Sequence, residues 1–475
     1  MKERLKVIGV NLCRVVVGLV FVFSGYVKAV DPIGSQYKIT DYLTALGMGW
    51  MPDWVTLTAS VLLSAVEFCT GIFLLLAIRR RITSRVLLAF MLVMTGITVW
   101  LVAANPVKDC GCFGDALHLT NGQSLAKNIV LLVMSGVIVR WSLCMKRMVT
   151  RATQWITINY TVLFILATSA WCLWALPLID FRPYHVGVNI PEAMAIPDGA
   201  PQPQFDTKVL MEKNGRREWF SIDDYPDSTW KYIDTKTEQV SEGYVPPIHD
   251  LSIENAVTGD DITDSVVNYK GYMFLLVSPH LEQADDSNFG IIDQIYEYAQ
   301  SKGYGFLCLT ASGAKAVAHW TDITGADYPF AIADETTLKT MIRSNPGLML
   351  LKNGTIVGKW SHNRLPALDE TSPRIEKTGT AAGSRLTAAE NTARAVLFFV
   401  VPLVLIVLAD RMWAWSRSLR SKEADVEKKI KENSDKLIST FKSNQNEKEN
   451  RSRQLEDERD PAGGHSPGKG DKRQP

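Results

Sequence analysis

Two cysteines separated by one glycine, Cys110 and Cys112, lie in the polar segment NPVKDCGCFGDALHLTN between two long apolar runs. A disulfide across a single residue closes a small, strained ring, and strained, exposed disulfides are the labile ones that take part in exchange. The intervening Gly111 permits backbone angles that other residues avoid. The spacing therefore favours thiol–disulfide exchange with a partner, with Cys110 and Cys112 as the catalytic pair.

Two other interpretations of this segment remain open. One is a structural disulfide that braces the loop without exchanging. The other is a metal site, but zinc needs a second pair of strong ligands in suitable spacing, and no such pair is visible outside the loop, so we predict no metal. The ligands of such a site would be Cys110, Cys112, Asp109, Asp115 and His118.

Averaged over 475 residues, the composition resembles that of a soluble protein, with 47% hydrophobic residues, 21% charged residues and a formal net charge of +1. The average hides an apolar first third, a polar middle and a highly charged tail. Six apolar runs are long enough, or nearly so, to cross a bilayer core, which takes about 20 residues. We therefore predict a polytopic membrane protein with spans near 7–27, 55–78, 84–104, 125–145, 158–179 and 393–409.

The positions of lysine and arginine predict the orientation of these spans. The loops at 79–85 and 140–151 are strongly basic, whereas the segments 28–54 and 105–124 are not. We expect the basic loops inside the cell, in a multi-pass protein of the inner, cytoplasmic membrane. Both termini are then cytoplasmic, and the cysteine loop and residues 180–392 are extracytoplasmic.

The predicted domain organisation has seven parts. A four-helix membrane bundle is followed by a fifth span that acts as a tether, an extracytoplasmic linker, an α/β domain, a second linker, a sixth span and a charged cytoplasmic tail. The tail is expected to be a short helix that fades into disorder. The boundaries are 1–150, 151–180, 181–243, 244–366, 367–392, 393–410 and 411–475.

The α/β domain shows the periodicity of a thioredoxin-like fold: strand, helix, strand, helix, then a short helix and a hairpin. The Asn345-Pro346 bond occupies the place where that fold keeps a cis-proline. The Cys-x-x-Cys pair is missing, because SPHLEQADD follows the first central strand, and Cys308 is expected to be a buried apolar residue. We predict that the domain binds partners through the surface near Asn345 and Pro346 rather than exchanging disulfides itself.

Polar residues within the spans are costly in lipid and therefore informative. Arg14 and Glu67 are predicted to lie at similar depths and to pair across the first two spans, either as a structural ion pair or as part of a proton or quinone pocket. Ser24 and Lys28 end the first span, where Lys28 either anchors the helix at the interface or lines the approach to the cysteine loop. A lysine beside a thiol would lower the pKa of that thiol.

Three segments together resemble the DoxX/MauE superfamily of four-span membrane proteins, particularly its MauE-like branch. They are FVFSGYVKAVDP, LLSAVEFCTGIFLLLAIRRR and NPVKDCGCFGDALHLTN, within about residues 5–145. The resemblance implies a membrane protein associated with redox or disulfide chemistry, and it carries the cysteine pair over to Cys110 and Cys112. With its appended thioredoxin-like domain and sixth span, the chain resembles the long DoxX-like proteins of Bacteroidetes, which implies a periplasm.

Two functions are consistent with these observations. The first is a membrane-embedded thiol–disulfide oxidoreductase or accessory that acts on exported thiol-containing proteins or on a redox partner protein. The second is a non-enzymatic structural subunit or assembly factor of an envelope complex. By analogy with other membrane disulfide systems, a quinone is compatible with the role of terminal electron carrier. No quinone motif is identifiable in the sequence, and no cofactor is assigned. The further expected partners are the lipid bilayer and subunits of a membrane complex, and nucleic acid is not expected.

Overall fold

The computed structural model describes residues 2–107, 110–201, 204–213, 216–221, 230–241, 243–375 and 388–457. The chain divides into two compact units, residues 1–403 and 404–475. The first unit holds the membrane helices and all the strands, and the last long helix runs from the first unit into the second.

Six helices are long and apolar enough to cross a membrane, which confirms the predicted multi-pass architecture for the described part of the chain. The span predicted near 7–27 is longer than expected, because its helix continues to Val30. The six are α1 (Lys2–Val30), α3 (Asp53–Leu75), α4 (Arg80–Ala104), α5 (Asn121–Arg140), α6 (Gln154–Trp174) and α12 (Ala388–Asp457).

Helices α1 and α3 lie close together because glycines face the neighbouring backbone. A Cβ atom on Gly25 would lie 2.4 Å from the Phe68 nitrogen, and one on Gly71 would lie 2.8 Å from the Gly18 carbonyl oxygen. Small residues allow this approach between membrane helices, where van der Waals packing is a main source of stability. Helix α5 packs against α4 and α1, so the first four spans form the predicted antiparallel bundle.

The basic loops meet at one end of this bundle. Arg14 donates to the carbonyl oxygens of Leu75 (2.8 Å) and Lys146 (2.9 Å), which lie at the end of α3 and after α5. Arg80 donates to the Leu143 carbonyl at 2.8 Å. Both arginines therefore satisfy backbone oxygens that helix ends and loops leave without partners. The cysteine loop lies at the opposite end of the bundle.

The segment 28–54 contains a helix that the sequence analysis did not identify, α2 (Pro32–Ala45). Its N-cap is Asp31, whose carboxylate accepts from the Gly34 backbone N–H at 2.9 Å, and Pro32 occupies the first turn. Both features are typical of helix starts. Helix α2 packs against α3 and reaches the cysteine loop.

A six-stranded sheet forms the centre of the α/β domain, with the order β4-β7-β6-β5-β8-β9. Strands β5, β6 and β7 are parallel, β8 runs antiparallel to β5, and β9 runs antiparallel to β8. Separate apolar cores cover the two faces of the sheet. The strands are β4 (Ile253–Asn255), β5 (Tyr272–Ser278), β6 (Gly305–Thr310), β7 (Phe330–Ala333), β8 (Gly347–Lys352) and β9 (Thr355–Ser361). The helices are α7 (Ile190–Met194), α8 (Thr263–Val267), α9 (Phe289–Lys302), α10 (Ala314–Thr324) and α11 (Glu335–Met341).

The predicted order of strands and helices from 271 to 361 agrees with this sheet. The Asn345-Pro346 peptide is cis, and Asn353 and Gly354 form the predicted hairpin turn with φ angles of 48° and 76°. Cys308 is fully buried in β6, as expected for a packing residue.

Two predicted segments are wrong. The expected linker 181–243 contains a three-stranded antiparallel sheet, β1 (Gln204–Lys213), β2 (Arg216–Ser221) and β3 (Lys231–Ser241), in the order β2-β1-β3. Ladder hydrogen bonds order these strands despite their polar composition. The tail expected to be largely disordered continues α12 to Asp457, because 411–457 has no glycine or proline and is rich in good helix formers. Residues 458–475 lie outside the described part of the chain.

A buried ion cluster fixes the segment after α6 to the α/β domain. Asp180 accepts from Arg182 Nε and from Lys359 Nζ, each at 2.7 Å. Burial alone would raise the pKa of Asp180, but Lys359 and Arg182 hold it well below its ordinary value. Burial lowers the pKa of Lys359 to about 8, against the opposing effect of Asp180. The carboxylate is therefore the element that keeps two buried cations paired.

We expect Asp180→Asn to destabilise this junction by about 3 kcal/mol, because breaking a buried ion pair leaves an uncompensated charge. Amide hydrogen exchange in β9 and in residues 176–184 of the full chain measures the loss. The matched control is Asp250→Asn at the exposed contact with His249 (3.8 Å), where the expected change is close to zero. Equal exchange in the two variants would contradict the role given to Asp180.

Candidate functional site

The two cysteines of the loop face each other. Their Sγ atoms are 2.8 Å apart, so less than 1 Å of movement separates them from a disulfide bond of about 2.05 Å. Gly111 between them has a φ angle of +59°, in the left-handed region that glycine tolerates. Cys110 and Cys112 are free and only 5% and 7% exposed. The two thiols of the predicted pair are therefore adjacent and covered, and their reactivity stays a prediction.

The cover comes from three directions. Tyr42 on α2 donates a hydrogen bond to the Cys110 carbonyl oxygen, and Cys110 and Cys112 pack in one apolar cluster with Leu101 near the end of α4. Phe113 inserts beside Phe23 of α1, with ring centroids 5.6 Å apart. The loop is thus folded back onto the end of the bundle.

A buried polar cluster lies directly under Cys112. The Lys28 ammonium donates to the Cys112 carbonyl oxygen (2.7 Å), to Glu67 Oε2 (2.7 Å) and to Ser24 Oγ (2.8 Å), which uses all three of its N–H groups. Ser24 Oγ lies 2.8 Å from both Glu67 Oε2 and the Cys112 carbonyl oxygen, and its one proton goes to one of them. The cluster ties α1, α3 and the cysteine loop together.

This cluster corrects the predicted pairing of Arg14 with Glu67. The structure describes both residues, and they do not pair: Glu67 binds Lys28, whereas Arg14 donates to the carbonyl oxygen of Leu75, the last residue of α3. Ten residues separate Arg14 from Ser24, which is about 15 Å along a helix. The prediction failed because the register of α1 on α3, in which Gly25 lies against Phe68, places Glu67 level with Ser24 and Lys28. Lys28, in contrast, does reach the cysteine loop, which was one of its two predicted roles.

The surroundings make the two thiols unequal. The hydrogen bond from Cys110, assisted by Lys127 and Lys28, holds the pKa of Cys112 below its ordinary value against burial and the charge of Glu67. Donating that bond, together with burial, raises the pKa of Cys110. Cys112 is therefore the thiol that ionises first and the better nucleophile of the two near neutral pH.

The α/β domain contacts the cysteine loop through Arg343. Its Nε lies 3.0 Å and 3.1 Å from the two carboxylate oxygens of Asp31, and its Nη2 lies 3.2 Å from Asp115 Oδ2. The guanidinium also lies over the Tyr37 ring of α2. Burial acts to lower the pKa of Arg343, but Asp31 and Asp115 raise it above its ordinary value. Arg343 lies three positions before Pro346, and no pattern in the surrounding sequence indicates its contact with the cysteine loop.

The partner surface predicted near Asn345 and Pro346 is occupied by the domain itself. Pro346 is buried. The Asn345 side chain accepts from Ser278 Oγ (2.6 Å) and donates to the His280 carbonyl (2.8 Å), while its carbonyl accepts from the Asp285 N–H (3.0 Å). The polar groups of Asn345 are thus engaged within the domain, and binding of a partner at this surface stays a prediction.

The metal interpretation finds no support among the described residues, where no group of three or more His, Cys, Asp or Glu side chains could hold an ion. Asp115 binds Arg343 instead. Asp109 lies outside the described residues.

Two cavities are relevant to small molecules. One of about 20 Å³ adjoins Cys112 between Glu67 and Lys127, which is room for about one water molecule. The other is an apolar groove of about 650 Å³ between α6 and the first residues of α12, lined by Phe164, Trp171 and Phe398. The first cavity adjoins the thiols but is too small for an organic cofactor. Neither cavity tests whether the protein binds a quinone, so the expectations about cofactors stay predictions.

Two sequence families match parts of this chain. The family described as Methylamine utilisation protein MauE matches residues 6–141. This match confirms the resemblance identified in the sequence, and it covers α1 to α5 with the cysteine loop. Domain of unknown function (DUF8463) matches residues 205–242, the region of the three-stranded sheet. No curated protein matches the chain.

We expect Arg343→Gln to expose the cysteine loop, because the substitution leaves Asp31 and Asp115 without their shared cation. The measurement is the rate at which a maleimide labels Cys112 in the reduced full-length protein at one pH. A tenfold increase, which corresponds to about 1.4 kcal/mol in the opening equilibrium, is the expected size.

The control is Arg364→Gln, in the same domain. Arg364 lies over Trp171 and Trp174 and not at the cysteine loop. Equal labelling rates in the two variants would mean that Arg343 does not hold the loop closed.

Proposed function

We propose that Cys110 and Cys112 exchange disulfides with exported thiol-containing proteins or with a partner redox protein, at the extracytoplasmic end of the membrane bundle. The observation that carries the proposal is the 2.8 Å approach of the two sulfur atoms, in surroundings that favour ionisation of Cys112. The match of residues 6–141 to the MauE family supports a membrane protein in redox-related processes.

The exchange follows from the unequal thiols. The Cys112 thiolate attacks one sulfur of a client disulfide, which forms a mixed disulfide and releases the other client sulfur as a thiolate. Cys110 then loses its proton and attacks Cys112, which closes the Cys110–Cys112 disulfide and releases the client as a dithiol. Two electrons pass from the pair to the client, and a second thiol protein reverses the cycle. With the direction reversed, the same steps oxidise a client.

The charge distribution supports the proposed orientation in an inner membrane. The arginines that bind the loop carbonyls, Arg14 and Arg80, lie at the end of the bundle opposite the cysteine loop. With the basic end inside, the cysteine loop faces an oxidising compartment, in which disulfides form and persist. Both termini are then cytoplasmic.

The proposed role of the α/β domain is to hold the cysteine loop. Its strand order, its helices and the cis-proline position support a thioredoxin-like fold without the Cys-x-x-Cys pair. Arg343 contacts Asp115, three residues after Cys112, whereas Asn345 and Pro346 are engaged within the domain. The domain therefore acts on the loop directly, and clients reach the thiols when the loop opens.

The burial of both cysteines favours a second candidate, a structural subunit or assembly factor of an envelope complex. In that case the cysteine pair braces a closed loop. The three-stranded sheet and the exposed part of α12 then offer docking surfaces.

We expect Cys110→Ser to accumulate mixed disulfides with exported proteins, because it removes the thiol that would release the client from Cys112. Cys112→Ser should trap far less, because it removes the thiol that attacks the client in the proposed cycle. Acid quenching of native membranes, alkylation and non-reducing electrophoresis with mass spectrometry identify the adducts.

The control is Cys308→Ser, which removes a thiol that is fully buried in the α/β domain. Absence of adducts in all three variants, with a wild-type pair that stays in one redox state, would reject exchange and leave the structural candidate.

A further inference from the structure

We infer that Lys28 and Glu67 are positioning residues that tune the reactivity of Cys112 in opposite directions. Lys28 favours the reactive thiolate, and Glu67 restrains it. The inference rests on the proposed thiol chemistry, and it assigns a role to an ion pair that the exchange mechanism itself does not use.

The Lys28 ammonium is held in place by three hydrogen bonds. Lys28 Nζ lies 2.7 Å from the carbonyl oxygen of Cys112, the residue that carries the more acidic thiol. Its other two N–H groups bind Glu67 and Ser24, so the ammonium cannot rotate away without breaking three hydrogen bonds. The positive charge is therefore fixed against the backbone of the residue that carries this thiol.

The Lys28 and Glu67 side chains are only 5% and 4% exposed, so water and salt screen their charges weakly. A positive charge near a thiol favours its ionised form, and a negative charge disfavours it. The groups that face Cys112 are Cys110 in its own loop, Lys28 on α1, Glu67 on α3 and Lys127 on α5. Glu67 is the one among these whose charge opposes the thiolate.

The opposite charges of Lys28 and Glu67 together set how reactive the Cys112 thiol is. An ammonium alone beside Cys112 would keep the sulfur ionised over a wide pH range, but a thiol of very low pKa is also a weaker nucleophile. The carboxylate of Glu67 offsets part of the effect of Lys28, and it also gives the buried ammonium the partner that it needs. The pair therefore adjusts the thiol without leaving a net buried charge.

The test is the pH dependence of Cys112 alkylation by iodoacetamide in the reduced full-length protein, in a Cys110→Ser background so that one loop thiol reacts. The midpoint of the rate profile reports ionisation and is independent of how often the loop opens, provided that opening does not change with pH. Relative to the parent, Lys28→Met should raise the midpoint by about one pH unit and Glu67→Gln should lower it by a similar amount. Below the midpoints, one unit corresponds to a tenfold change in rate.

Three further variants separate tuning from structural damage. Lys28→Arg keeps the charge and should return the midpoint to near that of the parent. The double variant Lys28→Met/Glu67→Gln removes both charges, so its midpoint should lie between those of the single variants. Ser60 lies on the same helix as Glu67 and donates a buried hydrogen bond to the Pro32 carbonyl. Ser60→Ala removes this bond but no charge, so the midpoint should not move.

Midpoints that shift in the same direction in both single variants, or that do not shift, would overturn the inference. If Lys28→Met fails to fold, the downward shift in Glu67→Gln still decides, because that variant keeps Lys28 and its bond to Cys112. Failure of the proposed exchange gives a different pattern. Opposite midpoint shifts with no trapped adducts support tuning by Lys28 and Glu67 and reject exchange. Trapped adducts with unmoved midpoints support exchange and reject tuning.

Discussion

The cysteine loop depends on one buried ammonium group. Lys28 is placed where water is excluded, and a buried charge is stable only if it is paired and all its donors have acceptors. Three acceptors meet this requirement, and each comes from a different part of the structure: Glu67 from α3, Ser24 from α1 itself and the Cys112 carbonyl from the loop. The close packing of α1 on α3 at Gly25 brings Glu67 within reach. The requirements of one charge therefore fix both the helix pair and the position of the Cys112 backbone.

Arg343 contacts the other side of the same loop through ion pairs that are more exposed to water than the pair of Lys28 and Glu67. It binds Asp31 at the start of α2 and Asp115 after the cysteines, which lie 312 and 228 residues away in the chain. The guanidinium is buried, whereas Asp115 is partly exposed, so water weakens this contact more than it weakens the contact of Lys28 with Glu67. The α/β domain thus contributes the more exposed contact with the loop region, and the membrane helices contribute the more buried one.

Much of the fold could be predicted from the sequence, because long apolar runs and alternating strand and helix patterns depend on neighbouring residues alone. The cysteine pair was also evident, since both members lie within three residues. Contacts between distant segments could not be predicted. The depth of Glu67 relative to Arg14 depends on the register in which α1 packs on α3, and nothing local to Arg343 indicates that it meets Asp115. The continuation of α12 beyond the sixth span was not predicted for another reason. High charge of both signs favours disorder, but a segment without glycine or proline can remain helical when it is solvated.

The burial of the cysteines is compatible with exchange only if the loop opens more easily than the domain unfolds. Functional loops are drawn from the parts of a protein with low local stability. The contact between Arg343 and Asp115 is the weaker restraint, because it is longer and partly solvated, whereas the contacts of Lys28 are short and buried. In the proposed exchange, opening would therefore begin on the Asp115 side, while the Cys112 carbonyl stays bound to Lys28. The thiol exposed in this way would keep the positive charge that favours its ionisation, so the proposed movement would give access without loss of reactivity.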